Sequence, residues 1–234
     1  MSEVRDEIDT SRLEAFSDAV FAIAITLLII GVGIKSEGGS LAYRLAEQWP
    51  SYVSYVVSFA IIGTLWLHHH EVFRYIRAAD HGLVLLNLAM LLGVCFIPFP
   101  TKVMGDELVS SSFADQRTAV IFYGLSIITV TLPFNALWLW AAYRRRLIEP
   151  TMSQVMVRAR TRSNLLGTTL YAVVTTVVAG WSPLSALVLY GVIDLLYIVP
   201  SEWLERLLVA ELRRTGEPTS EGEAEEVDSS RDPD

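Results

Sequence analysis

Cysteine is nearly absent from this chain: one residue, Cys95, occurs in 234. A disulfide within the chain is therefore excluded, and the apolar run around Cys95 predicts an inert buried thiol. Catalytic signatures are missing too. No G-x-x-x-x-G-K-[ST] loop, G-x-S-x-G elbow, H-E-x-x-H or C-x-x-C occurs, so phosphate hydrolysis and the common hydrolytic chemistries find no support. No enzyme activity, cofactor, metal or nucleic-acid partner is expected. The N-terminus lacks the basic stretch of a signal peptide, and no cleaved leader is expected. Charged residues make up only 19% of the chain and hydrophobic ones 52%, which is too apolar for an ordinary soluble domain of this size.

What charge there is lies outside the apolar runs. Between 216 and 234 stand eight acids against one base, Arg231. This tail accounts for nearly all of the net charge of −8, and its composition predicts disorder. Six apolar segments precede it, near 15–34, 51–68, 83–104, 118–142, 164–180 and 184–200. Their lengths suit membrane helices. The last two are short and separated only by Trp181-Ser182-Pro183, which predicts a tight helical hairpin. Alternating the connections across a bilayer puts 14 of the 18 Lys and Arg residues on the side of both termini. Six of these, Arg144, Arg145, Arg146, Arg158, Arg160 and Arg162, are assigned to the fourth connection. The positive-inside tendency then makes that side cytoplasmic. The expected fold is all-α: a multi-pass cell-membrane protein with six transmembrane helices and both termini cytoplasmic. Its expected parts are a cytoplasmic segment 1–11, a membrane domain 12–200, a cytoplasmic amphipathic helix 201–215 and the tail 216–234. Lys35 to Pro50 is expected to hold a short interfacial helix anchored by Tyr43 and Trp49. The Arg144–Arg146 cluster reads as a topology anchor that can also meet anionic lipid.

The first span has two unlike faces. Ser11 with Glu14 reads as a capping box ahead of Arg12. Beyond it, at 100° per residue, Ile23, Leu27, Ile30 and Ile34 share a narrow stripe with Thr26 beside it. Asp18 lies on roughly the opposite side, with Phe21, Ile25 and Leu28. An acid inside a span must face protein or water. Candidate partners share its depth on neighbouring helices: Arg12, Trp66, the run His68-His69-His70, and Asn87. These residues predict a hydrogen-bonded clamp at the base of the first helix. Three consecutive histidines point about 100° apart and cannot converge on one metal ion unaided; their titration near neutral pH is the sharper alternative. Asp194 is the other intramembrane acid, a candidate proton or cation site or a packing residue.

The string Arg12-x-x-x-Phe16-Ser17-Asp18 resembles the R-x-x-x-F-S-D motif that opens the first helix in the transmembrane protein 175 family, the lysosomal potassium channel and its prokaryotic relatives. The resemblance extends over about 10–205, with Trp and His closing the second helix, Asn in the third, and Pro98-Phe99 ending it. It implies a homotetramer with the first helices lining a central pore. A hydrophobic constriction at Ile23, followed by Thr26, Leu27 and Ile30, would replace the TVGYG-type carbonyl filter, which is absent here. Arg12, Phe16, Ser17, Asp18, Trp66, His69, His70 and Asn87 correspond to the family's polar network. The implied function is a potassium-permeable cation channel, passing potassium, with caesium and rubidium, and sodium less well, and with membrane lipid and its own copies as partners. Two other classes stay open: a proton-coupled secondary transporter working through Asp194, and a membrane scaffold or sensor acting through the acidic tail.

Overall fold

The computed structural model describes residues 9–33, 39–110, 112–150 and 154–198. Among these the regular structure is helical apart from isolated bridge positions, of which Ile76 and Ile148 pair antiparallel. Helix α1 (Thr10–Leu27) tightens into a 3-10 turn over Leu28–Gly31. Its N-cap is Asp9, whose Oδ1 accepts the Ser11 amide at 2.9 Å. The capping box expected at Ser11 is thus displaced by two residues, because Asp9 is a cap of equal strength and because Glu14 is engaged elsewhere, as described below.

A short helix α2 (Leu41–Glu47) follows, capped by the Ser40 hydroxyl, and Trp49-Pro50 open α3 (Trp49–Phe73). Helix α4 (His81–Phe96) is capped by Asp80 and runs into α5 (Pro98–Ser110). Pro98-Phe99 therefore does not end the third span. Ile97 keeps helical dihedrals, and proline is tolerated as the first residue of a helix because its missing N–H costs nothing there. The apolar path continues over His81–Leu108. Helix α6 (Phe113–Tyr143) carries Pro133 in its interior. Helix α7 (Gln154–Val173) continues through a π-turn (Val174–Val178) into α8 (Ala179–Trp181). Arg158, Arg160 and Arg162 accordingly sit on α7 rather than in a connection.

Ser182 breaks the helical path, and Pro183 starts α9 (Pro183–Ile198). The expected tight hairpin is present: the Tyr171 and Tyr190 rings stack at 5.6 Å, and Thr175 meets the Tyr190 hydroxyl at 2.9 Å. Five helical paths are long and apolar enough to cross a bilayer, and the sixth apolar helix, Pro183–Tyr197, is shorter. The chain divides into a compact unit Met1–Asp194 and a second, Leu195–Asp234, of which only the end of α9 is described. The expected amphipathic helix at 201–215 and the tail at 216–234 lie outside the described residues.

Within the first unit α6 is the hub, packing on α4, α5 and α7, while α1 leans on α3 and α4. Close packing needs glycine where α4 crosses α6: a Cβ on Gly93 would sit 2.8 Å from Val130 Cγ2 and 3.3 Å from its Cα. Cys95, expected to be buried, is exposed. An apolar run in a membrane helix has one face toward protein and another toward lipid, so apolar context alone does not bury a side chain in protein.

Candidate functional site at the base of the first helix

Helical spacing divides α1 lengthwise. Leu13, Ser17, Phe21, Ala24 and Leu28 are buried against the rest of the chain. At the base of that face the Ser17 hydroxyl, 0% exposed, donates to Leu13 O at 2.8 Å and accepts from Asn87 Nδ2 at 2.9 Å. The amide is thereby oriented, and its Oδ1 is left to accept from His69 Nε2, also at 2.9 Å. His69 and Asn87 are likewise fully buried. The His69 ring stacks on Phe73 at 4.3 Å and tilts against Phe21 at 5.5 Å. Its Nδ1 has no hydrogen-bond partner among the described residues. The result is a relay of one polarity through three helices, from α3 through α4 to a carbonyl of α1.

Two further ties flank it. Trp66 Nε1 donates to Asp18 Oδ1 at 2.8 Å, giving the intramembrane carboxylate the donor it needs. Glu14 pairs with His70 Nδ1 at 2.7 Å, and His70 in turn stacks on Trp66. Of the residues singled out from the sequence, Ser17, Asp18, Trp66, His69, His70 and Asn87 are therefore brought together. Arg12 and Phe16 are not: both are exposed, and among the described residues Arg12 makes no hydrogen bond or ion pair. Sequence reasoning missed Glu14, which it assigned to a cap, and the Phe21 and Phe73 bracket around His69. The (i, i+4) spacing of His69 and Phe73 was the available signal.

The opposite face of α1 is exposed among the described residues. Ile23 is 56% exposed, Leu27 41% and Ile30 74%, and Thr26 between them is exposed as well. Small residues, Ala15, Ala19 and Ala22, continue this face toward the base. The Thr26 hydroxyl donates to Ile23 O at 2.8 Å, which leaves its oxygen lone pairs directed outward.

Beyond the base layer a second set of buried hydroxyls ties α3, α5 and α6: Thr101 donates to Ser58 at 2.8 Å, and Ser58 meets the Tyr123 hydroxyl at 2.8 Å. Asp194 is 3% exposed and its Oδ2 has no partner among the described residues. The chain's corners are fastened outside the spans. Asp80 accepts from the Leu83 amide and from Trp140 Nε1, each at 3.0 Å, with Arg146 at 3.8 Å and Arg144 at 4.0 Å. Burial pushes the Asp80 carboxyl up, but these donors and charges outweigh it and hold the group below its ordinary value. Arg77 N to Leu147 O and Glu149 N to Tyr75 O, both 2.9 Å, complete the bridge between the α3–α4 and α6–α7 connections. Arg160 pairs with Glu71 across α7 and α3. No group of three His, Cys, Asp or Glu side chains among the described residues is placed to hold a metal ion.

Residues 12–98 match the model of the endosomal/lysosomal potassium channel TMEM175 family. A protein of Streptomyces collinus described as a potassium channel is 38% identical over 191 residues, spanning 81% of this chain and 91% of its own. The chain belongs to the TMEM175 family. A second relative, a Chamaesiphon minutus protein also described as a potassium channel, is 35% identical over 74% of this chain and 86% of its own. In three dimensions the chain is similar to the crystal structure of a lysosomal potassium-selective channel TMEM175 homolog from Chamaesiphon minutus. The TM-score there is 0.71 at 31% identity, over 80% of this chain and 95% of that one. The family match covers the whole base layer, from Ser17 and Asp18 through Trp66, His69 and His70 to Asn87.

Proposed function

We propose that this chain is a potassium-permeable cation channel assembled from four copies, with the exposed face of α1 lining a central pore and Ile23 forming its constriction. The observation that carries the reading is the division of α1. One face is buried and anchored through Ser17, and the other leaves Ile23, Thr26, Leu27 and Ile30 exposed among the described residues. The potassium-channel descriptions of the relatives support the choice of ion. A ring of isoleucines acts as a dehydration barrier: closure excludes water, and a small outward movement of the helices admits it. Potassium, caesium and rubidium shed water more readily than sodium, so such a ring favours them without coordinating them. Thr26 oxygens supply partial compensation for the lost hydration. The count of Lys and Arg supports six spans with both termini in the cytoplasm, the polar base layer then lying at the cytoplasmic end.

The test is cation flux into liposomes holding the purified protein, wild type against Ile23→Asn. Faster and less selective potassium flux in the variant is expected, because an amide in the ring removes the barrier. A well-folded assembly that passes no cation in either form overturns the channel reading. One observation favours a second reading, proton-coupled transport: the buried Asp194 carboxylate with its unpartnered oxygen. Asp194→Asn separates the two. Flux insensitive to this change fits the channel, and flux that is abolished by it and driven by a pH gradient fits the transporter.

A further inference from the structure

The three arginines of α7 do not point alike. Arg160 turns inward to Glu71. Arg158 and Arg162, four residues apart and so on one side of the helix, are exposed and make no hydrogen bond or ion pair among the described residues. They stand at one end of a surface groove of about 390 Å³ whose other end is lined by Leu165, Leu166 and Thr169. Leu165 and Leu166 are 47% and 57% exposed. The Thr169 hydroxyl is already bound to Leu165 O at 2.8 Å, so it adds no unsatisfied polar group to that end.

We propose that this groove binds an anionic phospholipid, with the headgroup phosphate between Arg158 and Arg162 and the upper part of one acyl chain along Leu165, Leu166 and Thr169. Three features select this occupant. Two fixed positive charges without a counter-ion among the described residues match a phosphate, which accepts the planar donors of guanidinium groups. The arginine end of the groove, where Val157 and Thr161 stand beside the two guanidinium groups, gives way along the helix axis to an uncharged end, as a lipid changes from headgroup to chain. From Arg162 to Thr169 is seven residues, about 10 Å of rise, so the apolar end falls within the hydrocarbon core when the arginines sit at its boundary. Arg160, bound to Glu71, fixes the rotation of α7 so that its two neighbours face outward. The site is separate from the Arg144 and Arg146 side chains, which flank Asp80, and it does not depend on ion conduction.

Native mass spectrometry of the purified full chain in detergent, titrated with phosphatidylglycerol or phosphatidylcholine, tests it. Phosphatidylglycerol adducts are expected to persist at activation energies that strip phosphatidylcholine. Arg158→Gln/Arg162→Gln should weaken retention by about tenfold or more, whereas Arg158→Lys/Arg162→Lys, which keeps both charges, should retain most of it. The same spectra report the oligomeric state of each variant, so a misassembled protein is recognised directly. Equal retention of the two lipids, or phosphatidylglycerol retention unchanged in the glutamine variant, overturns the proposal. So does a glutamine variant whose oligomer dissociates while its lipid adducts stay; that result would assign this face to a second copy of the chain.

Discussion

Asn87 is the residue on which the base layer turns, and its replacement by leucine gives the most exacting test of that layer. The side chain makes two interhelical hydrogen bonds, to His69 Nε2 and to Ser17 Oγ, each 2.9 Å and each fully buried. Leucine is close in volume, so the cavity contribution is small. Removing the amide leaves the His69 N–H without an acceptor, while Ser17 keeps its bond to Leu13 O. Interhelical bonds in membrane proteins average about 0.6 kcal/mol and reach about 1.7, and a stranded buried donor adds about 1–3 kcal/mol. The expected loss is therefore about 2–4 kcal/mol, most of it from the stranded histidine. That division makes the idea refutable by a double-mutant cycle. His69→Phe removes the donor, so in the Asn87→Leu background it should restore part of the lost stability, with a coupling of about 1 kcal/mol or more. Reversible unfolding in detergent, followed by tryptophan fluorescence across a denaturant series, supplies the four stabilities. If the two substitutions simply add, His69 and Asn87 are not a functional pair and the relay is wrong.

Two other outcomes follow from the same geometry. Asp80→Asn keeps a capping side chain on α4 but removes the charge facing Arg144 and Arg146. Because the folded-state carboxyl is held low, its contribution is complete above the ordinary carboxylate value and is lost as pH falls through the lower folded one. The gap in thermal stability between wild type and Asp80→Asn should thus be constant above about pH 5 and close below about pH 4; a gap indifferent to pH would refute the ionic assignment. Gly93→Ala should cost about 1–3 kcal/mol, since the added methyl meets the backbone of Val130 as well as its side chain. An alanine variant as stable as wild type, measured by the same unfolding assay, would show that α4 and α6 have room to part.

The architecture was legible where a physical constraint acts on a whole run of residues. Bilayer thickness sets the length of the apolar runs, and the 3.6-residue period separates the faces of α1, so Ile23, Thr26, Leu27 and Ile30 stand out before any coordinates. Of the donors the sequence offers Asp18, Trp66 makes the bond, whereas His69 and Asn87 turn to each other and to Ser17. What failed were inferences from a single local rule. Ser11 and Glu14 fit a capping box, but Asp9 competes for the cap and His70 for the carboxylate. Pro98 reads as a stop, yet at the start of a new helix it is no obstacle. Cys95 lies in apolar sequence and still faces outward, because in lipid polarity no longer distinguishes the outside of the protein from its core. The corner built by Asp80, Trp140 and the bridge of Ile76 to Ile148 had no local signature, since its partners lie some 60 to 70 residues apart in the chain.

The polar ties on α1 are all at one end. Glu14, Ser17 and Asp18 hold its base to α3 and α4, whereas from Phe21 to Gly31 no side chain hydrogen bonds to another helix among the described residues. The upper part of the helix is held by apolar packing alone, with Leu28–Gly31 against α3 and α5, so a rigid tilt of α1 would pivot about Ser17. Ile23 lies about 9 Å from it and Ile30 about 20 Å. A tilt of about 5° then carries Ile23 by roughly 0.8 Å and Ile30 by roughly 1.7 Å. Any motion that displaces Ile23 by the width of a methyl group sweeps Ile30 about twice as far, so within the exposed stripe Ile23 is the residue whose position is held most closely.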